Sequence, residues 1–280
     1  MPARAKDFHP ASKEEAQKAQ RSVQSVEVGG RLLLALAEQP SSMALKDLAA
    51  KAGLSASRAH PYLVSFGKLG LIEQDPVSQR YALGPAALQI GLACLHQLDA
   101  IKAATPVAEA LAADIDQTVV IAVWANFGPT VVRMIEGSQP LHVNMRVGTV
   151  MSILGTATGR AFAAAMPLWK LKRALTGPLG DSRRLDRSLI DDLGREVEQS
   201  VEDLRLHGVT RAVGRPIPSV NAFSAPTFNH EGEAVLVITA LGHEDCFAAQ
   251  WDSPLASAVR AAAAEISTRL GYCIPAPGKV

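Results

Sequence analysis

Residues 45–72 read LKDLAAKAGLSASRAHPYLVSFGKLGLI, and this stretch decides how the front of the chain folds. Leu45, Leu48, Ala49 and Ala52 recur at helical spacing, and Gly53 supplies the left-handed backbone that ends a helix. Ser55 or Ser57 can cap a second helix, which places Ala59, Tyr62, Leu63, Phe66 and Leu69 on an inward stripe. Ala49 is small where the two helices would cross. These are the requirements of a helix-turn-helix, whose second helix enters the DNA major groove. Its outward face carries Ser55, Ser57, Arg58 and His60. One residue objects: Pro61 has no N–H to give, which predicts a kink or a late helix start at His60-Pro61, and Gly67 lies in the same helix.

Working outward, residues 70–74 form a short strand, Asp75 to Ser78 a turn, and 79–83 a returning strand. Helix, corner, helix and hairpin is the order of a winged helix-turn-helix. Lys51, Lys68 and Arg80, the last near the hairpin tip, are candidates for phosphate contact, and Ser55, Ser57, Arg58 and His60 for base edges. Upstream, the polar residues 1–21 read as a flexible arm. A helix over 22–38 follows, whose interior Gly29-Gly30 makes it locally weak or packed closely against another backbone. Downstream, Gly84-Pro85 opens AALQIGLACLHQLD, a helix apolar nearly all round that needs a partner. It is expected to link two domains and to contribute to a dimer, with Cys94 and His96 as packed or capping residues.

From Ile101 the pattern becomes mixed. A helix over 105–115 precedes strands at 118–124, 130–135 and 141–147, whose short connections predict an antiparallel meander. A loop then turns into a helix within Gly155 to Ala165, and helices follow at 168–175 and 188–206. Strands at 222–228 and 234–241 flank an Asn229–Gly232 turn, and a closing helix spans 253–270. The expected partition is an arm (1–21), a winged helix-turn-helix (22–84), a linker helix (85–100), a second domain (101–272) and a loose tail (273–280).

Composition restricts the function. The chain of 280 residues is 48% hydrophobic with a net charge of +1. Residues 1–85 carry 11 Lys/Arg against 8 Asp/Glu, and the remainder 17 against 19, a mild polarity consistent with a DNA-facing end. Three scattered cysteines read as reduced thiols, and no run approaches a membrane span, so a cytoplasmic protein is expected. Enzyme motifs are missing. Gly155–Gly159 has the spacing of a nucleophile elbow but carries Ala157 where the nucleophile would stand, and the seven histidines are scattered singly. Neither a metal nor a cofactor is expected. Gly155–Arg160 suits a different chemistry: small residues entering a helix leave its first N–H groups open to an anion such as a carboxylate.

Taken together, LKDLAAKAGLS, GLIEQD and RYALGPAAL, followed by DQTVVIAVW, VRMIEG, RVG at 146–148, GTATGRAF and the terminal EISTRLG, resemble the IclR family of transcriptional regulators over about residues 22–272. The resemblance implies an α+β chain: an N-terminal winged helix-turn-helix, a linker helix, and a C-terminal GAF/PAS-like effector domain with an antiparallel sheet flanked by helices. It implies double-stranded DNA operators, homodimers or dimers of dimers, and control by a small organic acid. Carried over by position, the ligand site is Val143, Met151, Ile153, the N–H groups of Ala157 and Thr158, Ala212, Ala222, Thr239 and Leu241, with Arg215 assisting. This chain departs from the pattern. Ala212, Ala222 and Leu241 stand where members that bind small hydrophilic acids have Asp, Cys and Ser. Arg215 stands where an acid is usual, Ser219 where Gly is usual, and Gln117 where Glu is usual. A more apolar and larger pocket is expected, fitting a bulkier, aromatic acid. The alternative is a small-molecule sensor that acts through protein contacts with weak DNA binding, which the expected kink at Pro61 would favour.

Overall fold

A computed structural model describes residues 23–138, 143, 145–167, 169–171 and 187–273, with the backbone alone for 187–193. The expected arm at 1–21 and most of the helix at 168–175 lie outside the described residues. The chain divides into two compact units that meet at Gln97/Leu98.

In the first unit, α1 (Gln24–Ala37), α2 (Leu45–Lys51) and α3 (Ala56–Lys68) precede β1 (Ile72–Gln74), β2 (Tyr81–Leu83) and α4 (Pro85–Gln97). Leu32 and Leu36 of α1, Leu48 and Ala49 of α2, and Ala59 and Leu63 of α3 close one core with Ile72 and Tyr81. Gly53 sits at φ +68° and turns the chain from α2 toward α3. The strands pair antiparallel, and Met43 joins them through two backbone bonds with Tyr81, so the wing is fastened to the α1–α2 connection.

Several expectations need correction here. α3 neither starts late nor breaks at Pro61; it runs unbroken from Ala56. Pro61 is its sixth residue, so the ring removes a single bond, the one to the Ser57 carbonyl. Both residues are exposed, which leaves that carbonyl to water. Ser55 holds the N-cap position, yet its hydroxyl accepts from no backbone N–H and lies 3.2 Å from Ser57 Oγ instead. Leu69 leaves the inward stripe and is exposed, because the helix ends at Lys68. Gly29 does pack closely, but against the ring of Phe66 rather than a backbone, and a Cβ on Gly30 would meet nothing within 4 Å. Cys94 and His96 are exposed, like most of α4.

In the second unit, α5 (Ala100–Ile115) leads into β3 (Thr118–Ala125) and β4 (Gly128–Ile135). Then come α6 (Ala157–Ala165), α7 (Arg187–His207), β5 (Thr210–Val213), β6 (Val220–Phe228), β7 (Ala234–His243) and α8 (Pro254–Arg269). All strand pairs are antiparallel in the order β4-β3-β7-β6-β5. Val119, Ile121, Phe223, Ala225, Ile238 and Ala240 pack against α5 and α8 on one face. Ala122 and Val237, of opposite parity, meet Ala161 and Phe162 of α6 on the other.

α5 starts five residues earlier than the proline at 106 suggests. Asp99 caps it by accepting from the N–H groups of Ile101 and Lys102, and Pro106 sits on an exposed face where only the Lys102 carbonyl loses its bond. The expected strand at 141–147 is absent from its described residues, 143 and 145–147. The next residues make the contact with β4 instead: Gly148 N–H donates to the Val131 carbonyl, Val131 N–H to Thr149, and Met151 N–H to Pro129. Strand β5 was not anticipated from the sequence, since four residues, TRAV, are too few to show a period.

Candidate functional site

The first candidate surface is the start of α3. Ser55, Ser57, Arg58 and His60 are all exposed there, and no acidic residue occurs in the helix. Lys68 is exposed at the far end, ten residues beyond Arg58, or ~15 Å along the axis. The other two cations are engaged within the unit. Lys51 pairs with Glu38 at 3.0 Å, and Arg80 places Nε and Nη2 on the Ser42 carbonyl at 2.9 and 2.7 Å. Arg80 therefore ties the wing to the loop before α2. The wing's turn is closed by Asp75, which accepts from Ser78 N–H at 2.6 Å, Ser78 Oγ at 2.8 Å and Val77 N–H at 3.1 Å. These bonds, led by Ser78 N–H, hold its carboxyl below the usual range.

The second is a cavity between α6 and the open half of the sheet. Two rows of the same face form its floor, because every second residue on a strand points the same way. In one row Ala212, Ala222 and Leu241 are register partners; in the next Thr210, Ser224, Thr239 and Val120 are. The lining includes eight of the ten residues expected: Met151, Ala157, Thr158, Ala212, Arg215, Ala222, Thr239 and Leu241. Val143 is half-buried and Ile153 lies over Gly128, and neither reaches the cavity. Val120, Met145, Thr156, Pro216, Ile217 and Val220 line it without having been anticipated. Strand parity could have found Val120 and Val220; the loop residues carried no such signal.

Helix α6 gives the cavity its polarity. Thr156 is the N-cap, its Oγ1 accepting from Gly159 N–H at 2.9 Å. The N–H groups of Ala157 and Thr158 find no acceptor among the described residues and stand at the positive end of the helix. Gly159 allows this approach, for a Cβ there would collide with the carbonyls of Ser152 and Ile153. Behind it Arg160 donates to the Arg211 carbonyl, fastening α6 to β5, and burial pushes its guanidinium pKa down. Arg215 is exposed at the rim with no hydrogen bond or ion pair among the described residues. The remaining walls are largely apolar, with Thr156, Thr158 and Thr239 as their hydroxyl residues. The cavity is not large, however: about 50 Å³ is free, room for a few waters, because flexible Met145 and Met151 fill it together with Leu241 and Ile217.

A helix-turn-helix with a wing, and a separate α/β unit enclosing an apolar, donor-tipped cavity, define a ligand-responsive DNA-binding regulator. Comparison with known proteins agrees. The IclR helix-turn-helix domain matches residues 25–76, and the bacterial transcriptional regulator IclR C-terminal domain matches residues 92–268. The chain belongs to the IclR family of transcriptional regulators, with a DNA-binding helix-turn-helix and an effector-binding domain; the family is one of regulators, not enzymes. It is 26% identical over 244 residues to the transcriptional regulator KipR of Bacillus subtilis, covering 86% of this chain and 94% of that protein. It is likewise 26% identical over 259 residues to the glycerol operon regulatory protein of Streptomyces griseus, covering 90% and 98%. The crystal structure of Pseudomonas aeruginosa HmgR is 33% identical, with a TM-score of 0.79 over 89% of this chain and 99% of that one. No helix among the described residues is long and apolar enough to cross a membrane.

Proposed function

We propose that this regulator reads a double-stranded DNA operator through the start of α3, and that a small aromatic carboxylic acid in the cavity changes that reading. On this view residues 22–84 bind DNA, 85–100 connect, and 101–272 sense the effector. The observation that carries the proposal is the pair of N–H groups of Ala157 and Thr158, without acceptors among the described residues, on two residues that line a largely apolar cavity. A carboxylate satisfies them, and Arg215 at the rim adds a cation with no partner among the described residues. The apolar residues Ala212, Ala222 and Leu241 favour a ring over a two- or three-carbon keto acid, whose polar groups they would leave unpaired. Entry of a ring requires Met145 and Met151 to change rotamer, a small demand on unbranched side chains.

The alternative, a sensor acting only through protein contacts, drew its support from a kinked α3. The helix is assigned without interruption from Ala56 through Pro61 and Gly67, so a late start or a break lends that reading no support. The test is to capture operator fragments from genomic DNA with purified protein and repeat the capture with glyoxylate, pyruvate, benzoate, 4-hydroxybenzoate and phenylacetate. At least one aromatic acid should alter operator binding and raise the unfolding temperature. Tight binding of glyoxylate or pyruvate with failure of every aromatic acid overturns the proposal.

A further inference from the structure

A second and roomier hollow lies at the edge of the sensing unit's sheet. Strand β5 covers β6 only from Asn221 to Ser224, so Ala225 to Phe228 have no strand on their outer side. The end of α7 and one face of α8 flank that uncovered stretch, and Leu204, Gly208, Pro226, Phe228, Ala264 and Tyr272 are among the residues lining the groove between them. About 260 Å³ is free there, against about 50 Å³ in the cavity beside α6, and the two share no lining residue. Contacts fix both ends. At one, Arg260 donates from Nη1 to the His207 carbonyl at 2.8 Å and from Nη2 to Ser257 Oγ at 3.1 Å. Gly208 makes room for the arginine stem, since a Cβ there would lie 2.7 Å from Cδ. At the other, the Phe228 and Tyr272 rings stand 5.2 Å apart at 33°, and Tyr272 N–H donates to the Ser267 carbonyl at 2.9 Å.

The lining excludes two kinds of occupant. An added strand needs backbone donors along the sheet edge. Even-numbered residues of β6 face that edge, as the bond from Gly214 N–H to the Val220 carbonyl shows. Of these, Pro226 has no N–H, and Phe228 N–H already donates to Ser267 Oγ at 3.1 Å. A charged ligand needs a free counter-charge. The one charged residue of the lining is Arg260, whose two terminal nitrogens are held by His207 and Ser257 and whose stem lies over Gly208. The hydroxyl protons are spent on α8 itself: Ser267 Oγ donates to the Ala263 carbonyl at 2.7 Å, and Thr268 Oγ1 to the Ala264 carbonyl at 2.9 Å. Apolar walls and two aromatic rings remain.

We propose that this groove is a second small-molecule site, for an uncharged aromatic compound of one or two fused rings. An apolar cavity of about 150 Å³ already holds benzene, so the free space here is of two-ring size. A flat guest gains offset or edge-to-face contact with Phe228 and Tyr272 and leaves no polar group of its own unpaired. Because the two hollows are lined by different residues, the groove's role does not depend on an acid occupying the cavity beside α6.

The test is titration calorimetry on the full chain with indole and 2-naphthol as neutral probes and 2-naphthoate as the charged one. Both neutral probes should saturate at one per chain, and 2-naphthoate should displace 2-naphthol at least about tenfold less effectively than indole does. Ala264 is exposed on the groove wall, so Ala264→Phe fills the groove without disturbing the core and should weaken both neutral probes by about tenfold or more. Tyr272→Ala removes one ring and should weaken them by about two- to tenfold. If unfolding scans show that Ala264→Phe does not fold, Thr268→Phe, at another exposed position of the wall, decides in its place. Neutral-probe binding that survives the filling variant belongs elsewhere and overturns the proposal. So does failure of both neutral probes to bind wild type, or displacement by 2-naphthoate as effective as that by indole. If neither probe binds and Ala264→Phe instead changes the molar mass in light scattering, the groove is a protein-docking face and the proposal falls. None of these outcomes bears on the acid site, whose own test uses different ligands.

Discussion

Ser219 shows how a single departure from a family pattern acquires a physical meaning. Its φ is +59°, a backbone conformation that costs an L-residue with a Cβ about 1–2 kcal/mol, and the family resemblance implies glycine at this position. The strain is held by the surroundings: the Ser219 carbonyl accepts from Glu244 N–H at 2.8 Å, and the Val220 carbonyl accepts from Gly214 N–H at 3.0 Å. Ser219→Gly relieves the strain but gives the unfolded chain more freedom, so the net gain should be about 0.5–1 kcal/mol. Reversible denaturant unfolding reads this directly, and a lower midpoint for the glycine variant would show that the serine conformation is not strained. The segment it closes contains Arg215, Pro216 and Ile217, three of the cavity's lining residues, so the same change bears on the site's rigidity.

At the scale of elements, α3 is where function depends most on local chemistry. Its exposed cations and the bases they would meet make Arg58 the side chain with the largest expected effect. Arg58→Ala should weaken operator binding by about 1–3 kcal/mol if the contact is to a base, in a shift assay at fixed salt. An unchanged affinity on a mapped operator removes Arg58 from the reading. The helix itself was legible in its apolar period, because Ala59 and Leu63 had to meet Leu48 and Ala49. Its tolerance of Pro61 was not legible, since that depends on which carbonyl loses its partner and whether water reaches it. Pro106 in α5 repeats the lesson, again above an exposed carbonyl. In the sensing unit, β3, β6 and β7 announced themselves through runs of apolar and hydroxyl residues. The four-residue β5 and the 148–151 contact with β4 did not, because both are defined by backbone pairing rather than by side-chain pattern. For the same reason, lining residues on strands followed from parity, whereas Pro216 and Ile217 depended on a loop path that sequence spacing does not give.

For the molecule as a whole, α4 poses the unanswered surface. It is thirteen residues long and none is buried, and Leu88, Ile90, Leu92 and Leu95 are all exposed. A helix this apolar is not stable facing water along its length, and contiguous exposed apolar surface marks an interface. A second copy of the chain is the partner we propose, because a helix-turn-helix protein reads two half-sites about one helical turn apart only as a dimer. Leu92→Glu places a charge within that surface, where it must either be desolvated or force the copies apart. Light scattering coupled to size exclusion should therefore find a dimer or tetramer for wild type and a monomer for Leu92→Glu. The variant should keep wild-type unfolding of the α1–α3 core, since α4 contributes no buried residue to it. Its operator affinity should fall steeply while binding to a single half-site changes little, because only the linked second contact is lost. A wild type that is monomeric at micromolar concentration, or a Leu92→Glu variant that still assembles, would mean that α4 meets something other than another copy of itself.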